Sequence, residues 1–424
     1  MPWTTLTLEV TTPLFNSGAD AKSSDGTGVR VSSLRGAMRW WFRALAGTVI
    51  GPDDLDVLWR VERAVFGGRG GEGEDTSSSF RMRIPRQPLL IRESDRHVFL
   101  PQSSTEMRSP RARAEQPGYW VVYLLGQGLG NLGKLTLCRP YVAPGETFDL
   151  KFRFDGDDRC AALALAALWL TCTYGGVGAR TRRGFGGLRI IDSTGWLPEP
   201  WTPDSIRTPG LEYYTGLRNL HPSKGPVFAC MPHLESLIVQ KGGTPARDAW
   251  HDRPPFPVMG EKCTIAGLSG GRSFGTWDFL LNKVGEEFRC FRAREEHPEV
   301  KRRYWPPRKT REWRTVVHGD SKHFPLGALG LPVVYKGDCR VNVWCGDEEH
   351  RRASPLWLRP VGSPGNFRLF SFAFLGDFIP GEGAPDGPCV QLRGKGRDSR
   401  TLKVTRDDVK KLAEEWIKRL AELK

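Results

Sequence analysis

The sequence predicts an α+β protein of two domains. Strand and helix patterns follow one another along the chain instead of segregating, and a segment near the middle carries Pro198, Pro200, Pro203 and Pro209. The chain of 424 residues also exceeds the usual size of one domain, so each half is long enough to bury its own core. The expected boundaries are 1–195 for the first domain, 196–210 for a Pro-rich linker and 211–424 for the second domain. No sequence repeat relates the halves; the duplication is read from element order alone.

Trp3 to Val10 alternates, with Leu6, Leu8 and Val10 on one side, which predicts a half-buried strand. Small, turn-favouring residues from Asn16 to Gly28 make a loop, and Ser32-Ser33 offers an N-cap to a helix from Leu34 to about Gly47. A second helix is expected over Asp53 to Val65, then a Gly-rich loop from Gly67 to Ser79, a strand at Phe80 to Ile84 and an inserted loop from Arg92 to Gly118. Phe148, Leu150, Phe152 and Phe154 define a strand over Thr147 to Phe154, and Asp158 to Thr171 an apolar helix. In the second half, Val227 to Gln240 suggests a pair of strands, Trp277 to Arg294 a helix, and Arg340 to Trp344 and Phe367 to Leu375 two further strands. The final helix starts near Asp407, where Thr405 and Asp408 have capping-box spacing.

Lys and Arg number 62 against 48 Asp and Glu, a formal net charge of +14 that favours a polyanionic partner. Nucleic acid leads a membrane surface, because no basic amphipathic helix with an apolar opposite face is visible. No apolar stretch reaches the 18 or so residues of a membrane span, and Met1-Pro2-Trp3-Thr4 opens into a strand without a signal core; the expectation is a cytoplasmic protein with no membrane contact. Nine cysteines at spacings matching no zinc or redox motif read as reduced thiols, and no cofactor or metal site is expected.

Three constellations stand out. In Ser33-Leu34-Arg35-Gly36-Ala37-Met38-Arg39-Trp40-Trp41-Phe42-Arg43-Ala44-Leu45, helical spacing gathers Leu34, Met38, Trp41 and Leu45 on a packing stripe and Arg35, Arg39 and Arg43 on an adjacent one suited to phosphate. Its plain alternative is a solvated helix face with ion pairs. The loop from Tyr174 to Arg189 holds six glycines, four arginines and no acid. Freed N–H groups at Gly176 and Gly178 would cradle phosphates, Arg180, Arg182 and Arg183 would add charge, and Tyr174 or Phe185 would stack on a base. The loop follows a helix and lacks a Walker ending, which disfavours nucleotide hydrolysis. The run Lys301 to Arg314, with seven basic residues and three aromatics, resembles a single-strand-binding surface or a merely solvated one; Gly260 to Gly275, with Lys262 and Arg272, is a weaker case. Catalytic groups are thin: His97 is the only histidine before position 221, Ser17 and Ser32 have no visible activating base, and Asp20 and Asp25 suit capping as well as chemistry.

Thr11-Thr12-Pro13-Leu14-Phe15-Asn16-Ser17-Gly18-Ala19-Asp20 and the run Ser33 to Gly47 closely resemble the opening of the first-subunit family of the Cmr complex, the type III-B CRISPR effector, within the RAMP (repeat-associated mysterious protein) superfamily. Val65-Phe66-Gly67, the loop Gly175 to Gly186, Leu329-Gly330-Leu331-Pro332 and Arg351-Arg352-Ala353-Ser354-Pro355-Leu356 match as well, so the likeness touches both halves. The resemblance implies two ferredoxin-like, RRM-related RAMP domains with inserted loops. It also implies a non-catalytic RNA-binding subunit that works in antiviral defence with guide CRISPR RNA, target RNA and other Cmr subunits, near the guide 3′ end. On the matching positions it assigns phosphate to Arg35, Arg39, Arg180, Arg182 and Arg183, while Phe185 stacks or packs. The alternative is a RAMP endoribonuclease using Asp20 or Asp25 in the loop after the first strand. Segments 68–79 and 92–118 match no motif.

Overall fold

The computed structural model describes residues 3–16, 28–69, 75–92, 100, 110–126, 128–247, 249–250, 254–271, 273–293, 313–335, 339–379, 387–394 and 397–423. The first half follows the order strand β1 (Thr4–Val10), helix α1 (Val31–Ala46), helix α2 (Leu55–Phe66), strand β2 (Phe80–Arg83), helix α3 (Tyr119–Leu125), strand β3 (Thr147–Phe154), helix α4 (Asp158–Thr173) and strand β4 (Leu188–Thr194). Four of these strands form one antiparallel sheet in the order β2-β3-β1-β4. Register is fixed by burial: Leu6 lies opposite Leu150 and Leu8 opposite Phe148, all on the inner face. Slipping by one residue would turn that whole set to water. Helix α4 is apolar on every side and buried from Cys160 to Thr173; Asp157 caps it by accepting the Arg159 N–H at 2.8 Å.

Two expectations about helices change. Helix α1 starts earlier than the Ser32-Ser33 cap, with Arg30 at the N-cap and no capping side chain, and Ser33 Oγ instead reaches Asn16 Oδ1 at 3.3 Å. Val227–Gln240 is not a pair of strands: a 3-10 turn over Pro226–Cys230 leads into helix α5 (Met231–Gln240). Buried Met231, Leu234, Leu237 and Ile238 recur at helical period, and a proline in the first turn costs no hydrogen bond there.

The Pro-rich segment 196–210 is packed, not free. Trp201 is buried and donates its indole N–H to Ala162 O at 2.9 Å, Ile206 is fully buried, and Thr208 Oγ1 accepts the Ile190 N–H at 2.9 Å. Proline removed ladder donors here without releasing the chain, because the neighbouring aromatic and aliphatic side chains found places on α4 and β4.

In the second half, strands β5 (Thr264–Leu268), β9 (Leu356–Ser363) and β10 (Asn366–Phe374) make a three-stranded sheet in the order β9-β10-β5. Strands β6 (Val333–Val334), β7 (Arg340–Cys345), β8 (Glu348–His350), β11 (Cys389–Gly394) and β12 (Arg397–Leu402) form a second sheet. Helix α6 (Trp277–Ala293) and helix α7 (Arg406–Ala421) complete it; the expected capping box is present, with Asp408 N–H donating to Thr405 Oγ1 at 3.1 Å and Thr405 N–H to Asp408 Oδ2 at 2.7 Å.

The cores interlock. Trp357, Phe370, Phe372 and Phe374 of the second half pack in the cluster under the first sheet, while Phe15, Tyr141 and Phe185 of the first half pack in the cluster around α6 and α7. Arg359, buried on β9, donates to Leu188 O at 2.9 Å and to Cys172 O at 2.5 Å. All nine cysteines are free, and burial pushes the thiols of Cys160, Cys172 and Cys230 up to about 11, 12 and 12, as expected of core fillers. No helix of the described residues is long and apolar enough to cross a membrane.

Candidate nucleic-acid interface

Helix α1 presents three faces. At roughly 100° per residue, Leu34, Met38, Trp41 and Leu45 fall on one, Arg35, Arg39 and Arg43 on a second, and Ser33, Gly36, Ala37 and Trp40 on a third. The first is buried, as the spacing requires.

The arginine face is turned to α2, not to an open cleft. Arg35 donates to Ser78 Oγ at 2.9 Å and to Phe66 O at 3.3 Å, with its guanidinium 4.8 Å from the Phe80 ring centre. Arg39 donates to Phe66 O at 3.0 Å and Gly67 O at 2.5 Å and pairs with Glu62 at 2.8 Å; Arg43 approaches the same carboxylate at 3.6 Å. These side chains satisfy the orphan carbonyls at the C-terminus of α2, where cations are favoured. Burial, and then Arg39, holds the Arg35 guanidinium below its usual range. The plain alternative for this row, ion pairs on a helix face, therefore describes Arg39 and Arg43 best.

The glycine-rich loop is stitched, not pliant. Val177 N–H donates to Gly186 O at 2.9 Å, Ala179 N–H to Phe15 O at 2.8 Å, and Gly186 N–H to Pro13 O at 2.9 Å. Gly178, at φ +91°, leaves no room for a Cβ against Phe15 O, and Gly186, at φ +68°, none against Val177 O. Tyr174 is fully buried at the end of α4 with its hydroxyl 2.7 Å from that of Tyr213, and burial raises its phenol well above the usual value. It is closed to a base. Phe185 likewise packs, 6.2 Å from the Phe15 ring in edge geometry.

The three loop arginines part company. Arg180 is exposed, in a left-handed conformation at φ +64°. Arg182 donates to Ser354 O at 2.7 Å and lies 5.1 Å and 5.8 Å from the ring centres of Trp357 and Trp40; burial and Arg352 push it down to about 10. Arg183 points between the halves, 4.4 Å from the Phe288 ring centre, with Nη1 screened from solvent and without a hydrogen-bond partner among the described residues. Burial, with Arg292 next, pushes it down to about 9. Desolvated cations with cationic neighbours are costly in the free protein and favour an anion nearby.

Between α1 and this loop lies a cleft of about 560 Å3. Ser33, Gly36, Ala37 and Trp40 form one wall and Gly176, Gly178, Thr181 and Arg182 the other, with Trp357 beneath; no carboxylate lines it among the described residues. The helix and the loop, distant in sequence, thus share one cleft, but α1 contributes its small-residue face in place of the arginine row. Spacing of Ser33, Gly36, Ala37 and Trp40 was the available signal; Trp357 and Arg359 sit on a strand that had no signal. Asp20, Asp25, Ser17, His97 and Arg272, the run 301–312 and parts of 68–79 and 92–118 lie outside the described residues. Among the described residues no group of three or more His, Cys, Asp or Glu is placed to hold a metal.

The RAMP superfamily profile matches residues 7–189, the stretch that builds α1, the glycine-rich loop and the first sheet. A CRISPR system Cmr subunit of Pyrococcus furiosus, Cmr1-2, is 31% identical over 186 residues, 43% of this chain and 92% of that relative. The chain belongs to the RAMP superfamily, among its Cmr subunits. A second relative from the same organism, Cmr1-1, is 34% identical over 164 residues; the match spans 38% of this chain and 40% of that relative's length. Among solved structures, apo Cmr1 from Pyrococcus furiosus aligns over 92% of this chain and 94% of its own at TM-score 0.47 and 19% identity. A chain of the Type III-B Cmr-beta structure bound to cognate target RNA aligns over 97% and 98% at TM-score 0.43 and 13% identity. The RAMP match falls on the residues that wall the cleft.

Proposed function

We propose that this chain is a non-cleaving, RNA-binding subunit of a type III-B CRISPR effector, acting in antiviral defence beside other Cmr subunits and contacting guide CRISPR RNA, target RNA or both near the guide 3′ end. The observation that carries this reading is the cleft between α1 and the glycine-rich loop, walled by Gly176, Gly178 and Arg182, with Trp40 and Trp357 beside it and no carboxylate among its described lining residues. Small residues let a ribose-phosphate strand approach the backbone, Arg182 supplies charge and the indoles supply apolar surface. Arg180, exposed on the same loop, adds a cation with no carboxylate partner among the described residues. The net charge of +14 supplies the long-range attraction. The antiparallel sheet order β2-β3-β1-β4, with α1 between β1 and β2 and α4 between β3 and β4, supports a ferredoxin-like reading of the first half with α2 and α3 as additions.

Gly36 is the cleanest probe, because a Cβ there meets nothing within 4 Å. Gly36→Glu adds a carboxylate to the cleft wall from a position where the Cβ has open space. Binding of labelled single-stranded RNA by the purified chain is expected to weaken at least tenfold, with the fold retained by circular dichroism; unchanged affinity would remove the cleft from the RNA path. In the same titrations, magnesium-dependent cleavage lost on Asp20→Ala or Asp25→Ala would replace this proposal with an endoribonuclease.

A further inference from the structure

We infer that the open face of the first sheet, along β2 and β3, is a second contact surface for the phosphodiester backbone of single-stranded RNA, separate from the cleft. The inference rests on the RNA-binding reading above. Its basis is strand register. Arg81 lies directly opposite Arg153, and Arg83 directly opposite Lys151. Their neighbours Phe80, Phe152 and Phe154 are buried, so alternation turns all four cations to the outer face. Like charges directly opposite one another destabilise a sheet, and two successive pairs of the same sign are an arrangement that folding alone disfavours.

The same sheet shows the complementary solution elsewhere: Glu9 is opposite Arg189 and pairs with it at 2.6 Å. On the β2–β3 side the carboxylates do not balance the cations. Asp155 is shared between Arg81 at 3.0 Å and Arg153 at 3.3 Å, and Asp149 accepts from Thr7 at 3.1 Å. Neither Arg83 nor Lys151 has an ion-pair partner among the described residues. Trp3 adds an aromatic surface, its ring centre 4.3 Å from the Arg83 guanidinium and 5.9 Å from that of Arg153. Side chains two apart on a strand stand about 6.8 Å apart, so the four cations form a short track, not a point. Such a track beside an aromatic ring suits a single-stranded polyanion held without sequence preference. An acidic protein is the competing occupant, and the test separates it.

The variant is Arg83→Glu with Lys151→Glu, studied in the full chain and in the assembled complex with a fluorescent oligouridine. Expected are an affinity at least tenfold weaker at low salt, a log-log salt slope shallower by about 1.4, corresponding to two lost phosphate contacts, and a fold retained by circular dichroism, the facing Arg83 and Lys151 cations having become a facing pair of carboxylates. If affinity and slope stay at their original values while Gly36→Glu loses binding, the sheet surface is not an RNA contact and the cleft reading survives. If neither variant alters RNA binding, both fall. If the double variant keeps its RNA affinity but is no longer retained in the complex, the surface belongs to a protein neighbour and the inference is overturned.

Discussion

Arg180 holds its backbone at φ +64°, a conformation that costs an L-residue with a side chain roughly 1–2 kcal/mol. Its side chain is exposed and forms no ion pair among the described residues, while its carbonyl accepts the N–H groups of Arg183 at 2.8 Å and Phe185 at 3.4 Å. Two truncations therefore separate backbone from side chain. Arg180→Gly is expected to melt above Arg180→Ala by the equivalent of about 1 kcal/mol, because both lose the guanidinium and only glycine relieves the strain. Thermal denaturation of the pair checks it; equal melting temperatures would mean the left-handed turn carries no strain. At this scale the sequence was least informative: Arg180, Arg182 and Arg183 are equivalent in composition and spacing. One is exposed, one rests on two indoles and one is lodged between the halves. Tyr174 and Phe185 were legible as aromatic but not as buried, since burial depends on Tyr213 and Phe15, which lie elsewhere in the chain.

Elements were read well wherever period and caps agreed. Strands β1 and β3, helices α4 and α6 and the capping box of α7 are each where alternation, apolar spacing or Thr405 and Asp408 placed them. Thr405→Ala should cost about 1 kcal/mol, read as a lower urea midpoint at unchanged slope; Asp408 would keep only its other contacts, among them His323 at 2.9 Å. Helix α5 was missed because Val227 and Phe228 invite a strand reading before the helical spacing from Met231 begins. Helix α1 illustrates the converse. Its three faces follow from 3.6-residue periodicity, but which of the two exposed ones meets the loop does not, because the end of α2 draws Arg35 and Arg39 away.

The halves are joined through exchanged aromatics as well as through the chain. Phe185 belongs to the first half and is buried in the core of the second, beside Phe15. Replacing it by alanine should cost about 3–5 kcal/mol, the range for a buried phenyl. If the interlocked cores unfold as one, denaturation followed by tryptophan fluorescence should remain a single transition at a lower midpoint; two separated transitions would mean that the halves unfold independently. Residues 196–210 pack on the first half.

The sequence by itself determined the mixed strand-helix composition, most elements, the basic character and the two segments that wall the cleft, because these depend on local period, charge and turn chemistry. Only the tertiary structure decided which arginines are spent on carbonyls, which aromatics are sealed and which face of α1 lines the cleft. Those outcomes depend on partners far away in the chain. A guanidinium or a phenyl ring looks the same in sequence whether water, a helix end or another ring surrounds it.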